Sequence, residues 1–578
     1  FPTRRSSDLT FDVTDMVIEN GANAIGAMLG EGWYSGNIAH VGGDRYGTDL
    51  AFIAKLVVTY ENGDTDVIVT DDTWTVNTNG PITDNNFLDG EKYDARKEIE
   101  GWDSPNFVED SGWSKVKVTD SVQNIGELIA QVGPTVTQVD TLEAQSVNKV
   151  TRADGEEVFI YDFGQNFAGI VSLKNLKGEA GTTISLRHGE MLNDAPKGER
   201  GCDDNEGTLY DANLRTFKAI DTYTLKGDPE GETYTPRFTF HGFRYLEISG
   251  ITEPIPLEDV TGIVLSSDAE WASSYETSNE LVNRLYLNVI WGQRSNFLSI
   301  PTDCPQRNER QGWTGDLQLY SRTATYHSLD TQNFLRQWMD SLSADLGENG
   351  GMGTTTPDYT FSKPRGNDTS IVWGGAMVQA PWQLYSQYGD TLVIEENYEF
   401  IKRYIDNTSR GYTAADAEYP LLTTVNGLSD HIGLEGSTSG GNGSNLLQNV
   451  LLMHLIRSTA TMADEMGDTE YAASLRERFE IMKDSWNRAF VDEATGMTLN
   501  RNVSTGELQE LSLGDVSNVY IDTQSTYAYA LYYDIVSDTM TITEGENAGM
   551  TYADFFAKRL SEIVADPSIC GAGRRPRS

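Results

Sequence analysis

The residue types best suited to chemistry crowd into one stretch, Pro301-Thr-Asp-Cys-Pro-Gln-Arg-Asn-Glu-Arg-Gln-Gly-Trp-Thr-Gly-Asp316, which holds Asp303, Arg307, Glu309, Arg310, Trp313 and Asp316. If the chain runs into a helix from about residue 309, then Glu309, Trp313 and Asp316 share one face. Pro305 keeps Asp303 in the preceding loop, from which it can fold over that face. Carboxylates grip sugar hydroxyls, and an indole covers the apolar side of a sugar ring. A carboxyl held near other carboxylates and an indole has a reason to stay protonated. Protonation is what a general acid needs to cleave a glycosidic bond. Equally, the stretch reads as a capped helix start whose acids pair with Arg307 and Arg310, and spacing alone does not separate the two.

The elements that must position these residues change character along the chain. Residues 10–135 read as β, with alternation from Asp49 to Glu61, a turn at Asn62-Gly63-Asp64 and a second run from Thr65 to Val69. Asn-Gly between two such runs predicts a hairpin. Residues 136–268 read as a second β unit of short strands separated by Gly, Asn and Asp, a spacing that favours sandwiches. From about residue 275 the period becomes helical, with Ser278 as N-cap. About nine helical segments follow, starting near 278, 313, 331, 373, 391, 445, 468, 521 and 551. The helices lack a uniform repeat, so a closed helical barrel is favoured over a solenoid.

Composition excludes more than it assigns. The 578 residues carry 87 Asp plus Glu against 43 Lys plus Arg, a net charge of −44. Such a chain is repelled by nucleic acid and by anionic membranes, and no apolar run approaches the roughly 20 residues a membrane helix needs. Cys202, Cys304 and Cys570 are too few for a disulfide framework. None of the six histidines (His40, His188, His241, His327, His431, His454) stands at helical spacing from another, so no metal site is predicted. There is no nucleophile elbow, P-loop or dinucleotide fingerprint. Trp338, Trp373 and Trp382 read mainly as core. Residues 1–9 (FPTRRSSDL) and 571–578 (GAGRRPRS) look unlike the rest and are read as non-native tails of a fragment cut at both ends. That reading leaves the cellular compartment open.

The run Asp303 to Asp316 closely resembles the signature of bacterial α-L-rhamnosidases of glycoside hydrolase family 78. Gly21 to Gly36, Gly90 to Arg96, Tyr161 to Gly169 and Phe238 to Tyr245 resemble the β-domains of the same family, in the same order, over residues 11 to 565 or so. The resemblance implies a multidomain protein: two N-terminal β-sandwiches (10–135 and 136–268) and an (α/α)6 catalytic barrel (269–570), incomplete at its C-terminal end. It implies inverting hydrolysis of terminal α-L-rhamnose from glycosides or polysaccharides. Carried over, Glu309 is the general acid; Asp303, Arg307 and Asp316 bind rhamnose hydroxyls; Trp313 and, further along, Trp373 contact the sugar. No cofactor is required, and a calcium ion in a β-sandwich has no ligands to place it. Two departures stand out. The chain has Trp373-Gly-Gly375-Ala376 where the family often has Trp-x-Asp-Ala, and Asp430-His431 where an Asp-Trp pair is common. The family's late glutamate, the base that activates water, has no counterpart, so the base is expected to be missing. Alternatives are an inverting glycosidase of another specificity on the same scaffold, or a non-catalytic carbohydrate-binding protein.

Overall fold

The structure, a computed structural model, describes residues 5–119, 127–268, 270–358, 371–409, 417–423, 444–513 and 516–566. The chain divides into two compact units: residues 1–312 with 327–334, and 313–326 with 335–578. The first is β-rich and the second helical.

In the first unit the Asn62-Gly63 turn joins β1 (Lys55–Thr59) to β2 (Thr65–Val69) in the predicted hairpin, with Thr59 opposite Thr65. Gly63 takes the left-handed φ of +87° that the turn demands. The main sheet is built from β3 (Ile82–Asn86), β4 (Gly90–Asp94), β5 (Thr137–Glu143), β6 (Ser146–Thr151), β7 (Glu157–Leu176), β8 (Thr183–Gly189), β9 (Ile220–Thr224), β10 (Glu232–Tyr234), β11 (His241–Ser249) and β12 (Val260–Ser266). Its order is β3-β4-β9-β8-β11-β7-β12-β5, with β6 and β10 also paired to the long β7. The two β regions expected from sequence therefore share one sheet. The joint is a parallel pairing of β4 with β9, Tyr93 opposite Tyr223. Phe163, Phe167 and Phe243 pack edge-on or tilted in its core at centroid distances of 4.5 to 5.7 Å. The bulge between Asp162 and Phe167 bends β7 at Gly164, where φ is +74°. There Arg244 of β11 donates two hydrogen bonds to Asp162, at 2.7 and 2.8 Å.

Two differences from the sequence reading concern ends. Helix α1 (Glu280–Asn296) is capped by Asn279 rather than Ser278, since the Asn279 side-chain Oδ1 accepts from the amides of Leu281 and Val282. This helix lies in the β-rich unit. Arg5–Asp8, set aside as a tail, pairs in parallel with Glu127–Ala130. Residues 571–578 lie outside the described residues.

Downstream of α1 the α-helices among the described residues are α2 (Thr314–His327), α3 (Thr331–Asp345), α4 (Ala376–Tyr388), α5 (Leu392–Thr408), α6 (Ser444–Glu465), α7 (Thr469–Phe490), α8 (Gln524–Tyr532) and α9 (Tyr552–Ala565). With α1 they match the nine predicted starts. In the helical unit, neighbours in sequence pack together as α4 with α5, α6 with α7 and α8 with α9. Gly389, in the left-handed region, ends α4. Asp468 caps α7 and also accepts from Lys402 and Tyr398 of α5, which ties the two helices at one point. Among the described residues no helix is long and apolar enough to cross a membrane.

Candidate active site

The first half of the signature stretch is a loop. Arg310 sits at φ +55°, which a helix does not allow, and α2 begins only at Thr314. The expectation that Glu309, Trp313 and Asp316 lie on one helix face is therefore corrected for Glu309 and Trp313. The loop closes on itself: the Asp303 amide donates to the Gln311 carbonyl, and the Gln311 amide donates to Asp303 Oδ1, both at 3.1 Å. Arg310 does not pair with an acid. It is buried, donates to the Pro305 carbonyl at 2.6 Å and the Phe87 carbonyl at 2.7 Å, and lies on the Phe240 ring. It anchors the loop to the sheet. Gly242 leaves room for this approach, since a Cβ there would fall 2.7 Å from the Pro305 ring.

The loop gathers Asp303, Cys304, Arg307 and Glu309. Ligand-type atoms of Asp303, Cys304 and Glu309 lie within 4.8 Å of one another. Glu309 Oε2 accepts from Arg307 at 2.8 and 3.2 Å, and Oε1 accepts from Arg215 at 2.7 Å. Arg215 lies 94 residues upstream, and the sequence reading missed it. The next residue, Thr216, accepts from Asn308 at 2.8 Å, and Phe217 lies beside Arg310. Nothing local in the sequence announces this loop-to-loop contact.

The electrostatics of the two carboxyls differ. Burial, reinforced by a hydrogen bond shared with Glu309, pushes Asp303 up to about 7. Burial also acts to raise Glu309, but the Asp303 hydrogen bond and the guanidinium groups of Arg307 and Arg215 outweigh it and hold the carboxyl at about 2. A proton bound by this pair therefore favours Asp303 over Glu309. The Cys304 thiol is pushed well up by burial and by Asp303.

In the helical unit, Trp313 bridges to Thr355, and the Thr314 amide and hydroxyl bond to the Thr354 carbonyl at 2.9 and 3.0 Å, which fixes the start of α2. Asp316 is exposed in the first turn, where the helix dipole favours a negative charge. Trp373 is buried against Gly315: a Cβ there would fall 2.7 Å from the indole. This places Trp373 at the same helix start as Trp313 and Asp316. Gly375, the first departure from the family pattern, has a similar cause. A Cβ at that position would meet the Ile371 carbonyl at 2.5 Å and Gln318 at 2.8 Å. Asp430 and His431, the second departure, lie outside the described residues.

One further polar cluster was invisible in the sequence. His188, Asp221 and His241 meet across the sheet, fully buried, with the imidazoles stacked at 4.1 Å and His241 Nε2 at 3.1 Å from Asp221. The donor set could ligate a metal. The buried guanidinium of Arg310 acts on all three groups, however, which is an unfavourable neighbour for another cation. In the loop cluster, two guanidiniums already occupy Glu309.

Three family models match in succession: the alpha-L-rhamnosidase N-terminal domain at residues 3–140, the concanavalin-like domain at 152–266 and the 6 hairpin glycosidase domain at 270–554. The chain belongs to the bacterial α-L-rhamnosidase family. An α-L-rhamnosidase of Streptomyces avermitilis is 35% identical over 537 residues, which cover 92% of this chain and 46% of that protein. An α-L-rhamnosidase of Formosa agariphila is 30% identical over 93% of this chain and 53% of its own length. The chain thus spans about half the length of the curated rhamnosidases it matches. The crystal structure of the S. avermitilis α-L-rhamnosidase complexed with L-rhamnose superposes with a TM-score of 0.77 at 31% identity, covering 98% of this chain and 48% of that one. The architecture is thus that of the rhamnosidases: β-rich domains followed by a six-hairpin glycosidase domain.

Proposed function

We propose that this chain supplies the acid side of an inverting hydrolysis of terminal, non-reducing α-L-rhamnose. Its helical unit is read as part of an (α/α)6 barrel (269–570), preceded by β-sandwiches over 10–135 and 136–268. The observation that carries the reading is the loop Asp303–Gln311, which brings the carboxyls of Asp303 and Glu309 together beside the Arg307 guanidinium. The rhamnosidase names of the relatives and the rhamnose bound to one of them supply the sugar.

In this reading Glu309 protonates the glycosidic oxygen as the bond to the anomeric carbon breaks. Asp303, Arg307 and Asp316 hold sugar hydroxyls, and the indoles of Trp313 and Trp373 take the apolar surface of the sugar. Inversion requires a second carboxylate about 6.5–9.5 Å from the acid to activate water, and no residue is assigned to that role. Acid–base hydrolysis of this kind needs no cofactor, and the substrates are rhamnose-bearing glycosides or polysaccharides.

The test is hydrolysis of an aryl α-L-rhamnoside by this chain, with and without azide. Turnover in plain buffer places the water-activating group among these residues. Formation of the inverted rhamnosyl azide alone shows a working acid without it. Neither product, together with faster turnover of another aryl glycoside, replaces rhamnose with a different sugar.

A further inference from the structure

The loop Arg215-Thr216-Phe217 docks residue by residue on the acid loop: Arg215 on Glu309, Thr216 on Asn308, Phe217 on Arg310. Arg215 makes its contact from a left-handed backbone, at φ +64° and ψ −103°, which is costly for a residue with a Cβ. Its side chain is half-exposed, so neither core packing nor burial accounts for that conformation. What the strained backbone achieves is to place a guanidinium on Oε1 of Glu309, while the Arg307 guanidinium holds Oε2.

We propose that Arg215 is a positioning residue for the acid: it holds Glu309 as a carboxylate in the empty site, so the proton of the pair is stored on Asp303 and passes to Glu309 when a bound glycoside displaces the guanidinium. The inference rests on the reading of Glu309 as the general acid. The step balances without an added reactant. The Asp303 O–H bond breaks, a Glu309 O–H bond forms, and the negative charge moves to Asp303, whose Oδ2 lies 3.9 Å from Arg307. The ionisable groups that face Glu309 are Asp303, Cys304, Arg307 and Arg215. Cys304 stays a thiol throughout, so the exchange is confined to the two carboxyls and the two guanidiniums. Removing a contacting cation raises a carboxyl by about 1–3 pH units, which brings Glu309 closer to Asp303 and makes passage of the proton between them less uphill.

The test uses the full chain and a probe that fills the leaving-group position without reacting, an S-linked aryl α-L-rhamnoside. Carbodiimide labelling of protonated carboxyls, read peptide by peptide by mass spectrometry, gives the titration midpoint of Glu309. In the ligand-free chain Arg215→Gln should raise that midpoint by about 1–3 pH units, and Arg215→Lys should restore it. An unchanged midpoint in Arg215→Gln overturns the proposal. With the thiorhamnoside bound, the wild-type midpoint should rise to the Arg215→Gln value. Calorimetry in buffers of different ionisation enthalpy should show no net proton uptake at pH 5, because the proton comes from Asp303. Uptake of a proton from solvent overturns the storage role. A thiorhamnoside that does not bind sinks the rhamnosidase reading and the release step together, while the ligand-free arm still decides whether Arg215 holds Glu309.

Discussion

The β-rich unit contains two clusters of ionisable groups that look alike on paper and differ in kind. One is Asp303, Cys304 and Glu309; the other is His188, Asp221 and His241. The first is reached by solvent: Glu309 is one-fifth exposed, and its two cationic partners are more so. The second is sealed, with every side chain fully buried. In the first, charge is kept and balanced by arginines. In the second, burial removes charge: His188 is pushed down to about 3, His241 falls well below its usual range, and Asp221 rises to about 6. Both clusters are perturbed, since structural networks shift ionisation as working sites do; what separates these two is access to solvent and the arginines that keep charge in the first.

Four experiments separate the clusters further. The largest effect should come from Glu309→Gln, which removes the group that delivers the proton. Hydrolysis of a glycoside with a poor leaving group should fall about 10²-fold or more, with stability changed by less than about 1 kcal/mol because the ion pairs are partly exposed. Steady-state kinetics and urea unfolding give both numbers. Arg310 lies between the clusters and should behave as structure. Arg310→Met strands two buried carbonyls, at about 1–3 kcal/mol each, and chemical denaturation should show the loss.

The third experiment tests the sealed cluster through pH. Between pH 6.5 and 3 an unfolded histidine binds a proton that buried His188 and His241 refuse, so stability falls as pH drops. Asp221 acts in the opposite sense between about 6 and 3.8, where the folded form holds the extra proton. One proton's worth of slope remains, about 1.4 kcal/mol per pH unit. His188→Leu should flatten stability against pH by that amount, and an unchanged slope would mean the histidines titrate normally. The smallest effect concerns Cys304, buried with its thiol pushed up beside Asp303. It should resist alkylation at neutral pH in the native chain and react only on unfolding.

Local pattern carried much of the architecture. The nine helix starts and the Asn62-Gly63 hairpin are encoded within a few residues, and so is the gathering of Asp303, Arg307 and Glu309 on one short loop. What was illegible depends on distant pairing. Arg310 breaks the anticipated helix face because its side chain is drawn down to the Phe87 carbonyl, a contact no spacing rule reports. Arg215 reaches Glu309 from 94 residues away. His188 and His241 stand on adjacent strands, with His188 opposite Leu246 in the ladder, and their rings stack all the same, so a search for histidines at helical spacing passes over them.

The parallel pairing of β4 with β9 has a consequence for how this protein can be taken apart. Two family modules, matched at 3–140 and 152–266, meet in one hydrogen-bonded sheet. Glu91 of the first accepts from the Arg237 and Phe238 amides of the second, at 3.0 and 3.1 Å. A cut between them would bare the edge of β9 and orphan those amides, leaving an unpaired strand open to neighbouring chains. Recombination that trades one module without the other should yield aggregates.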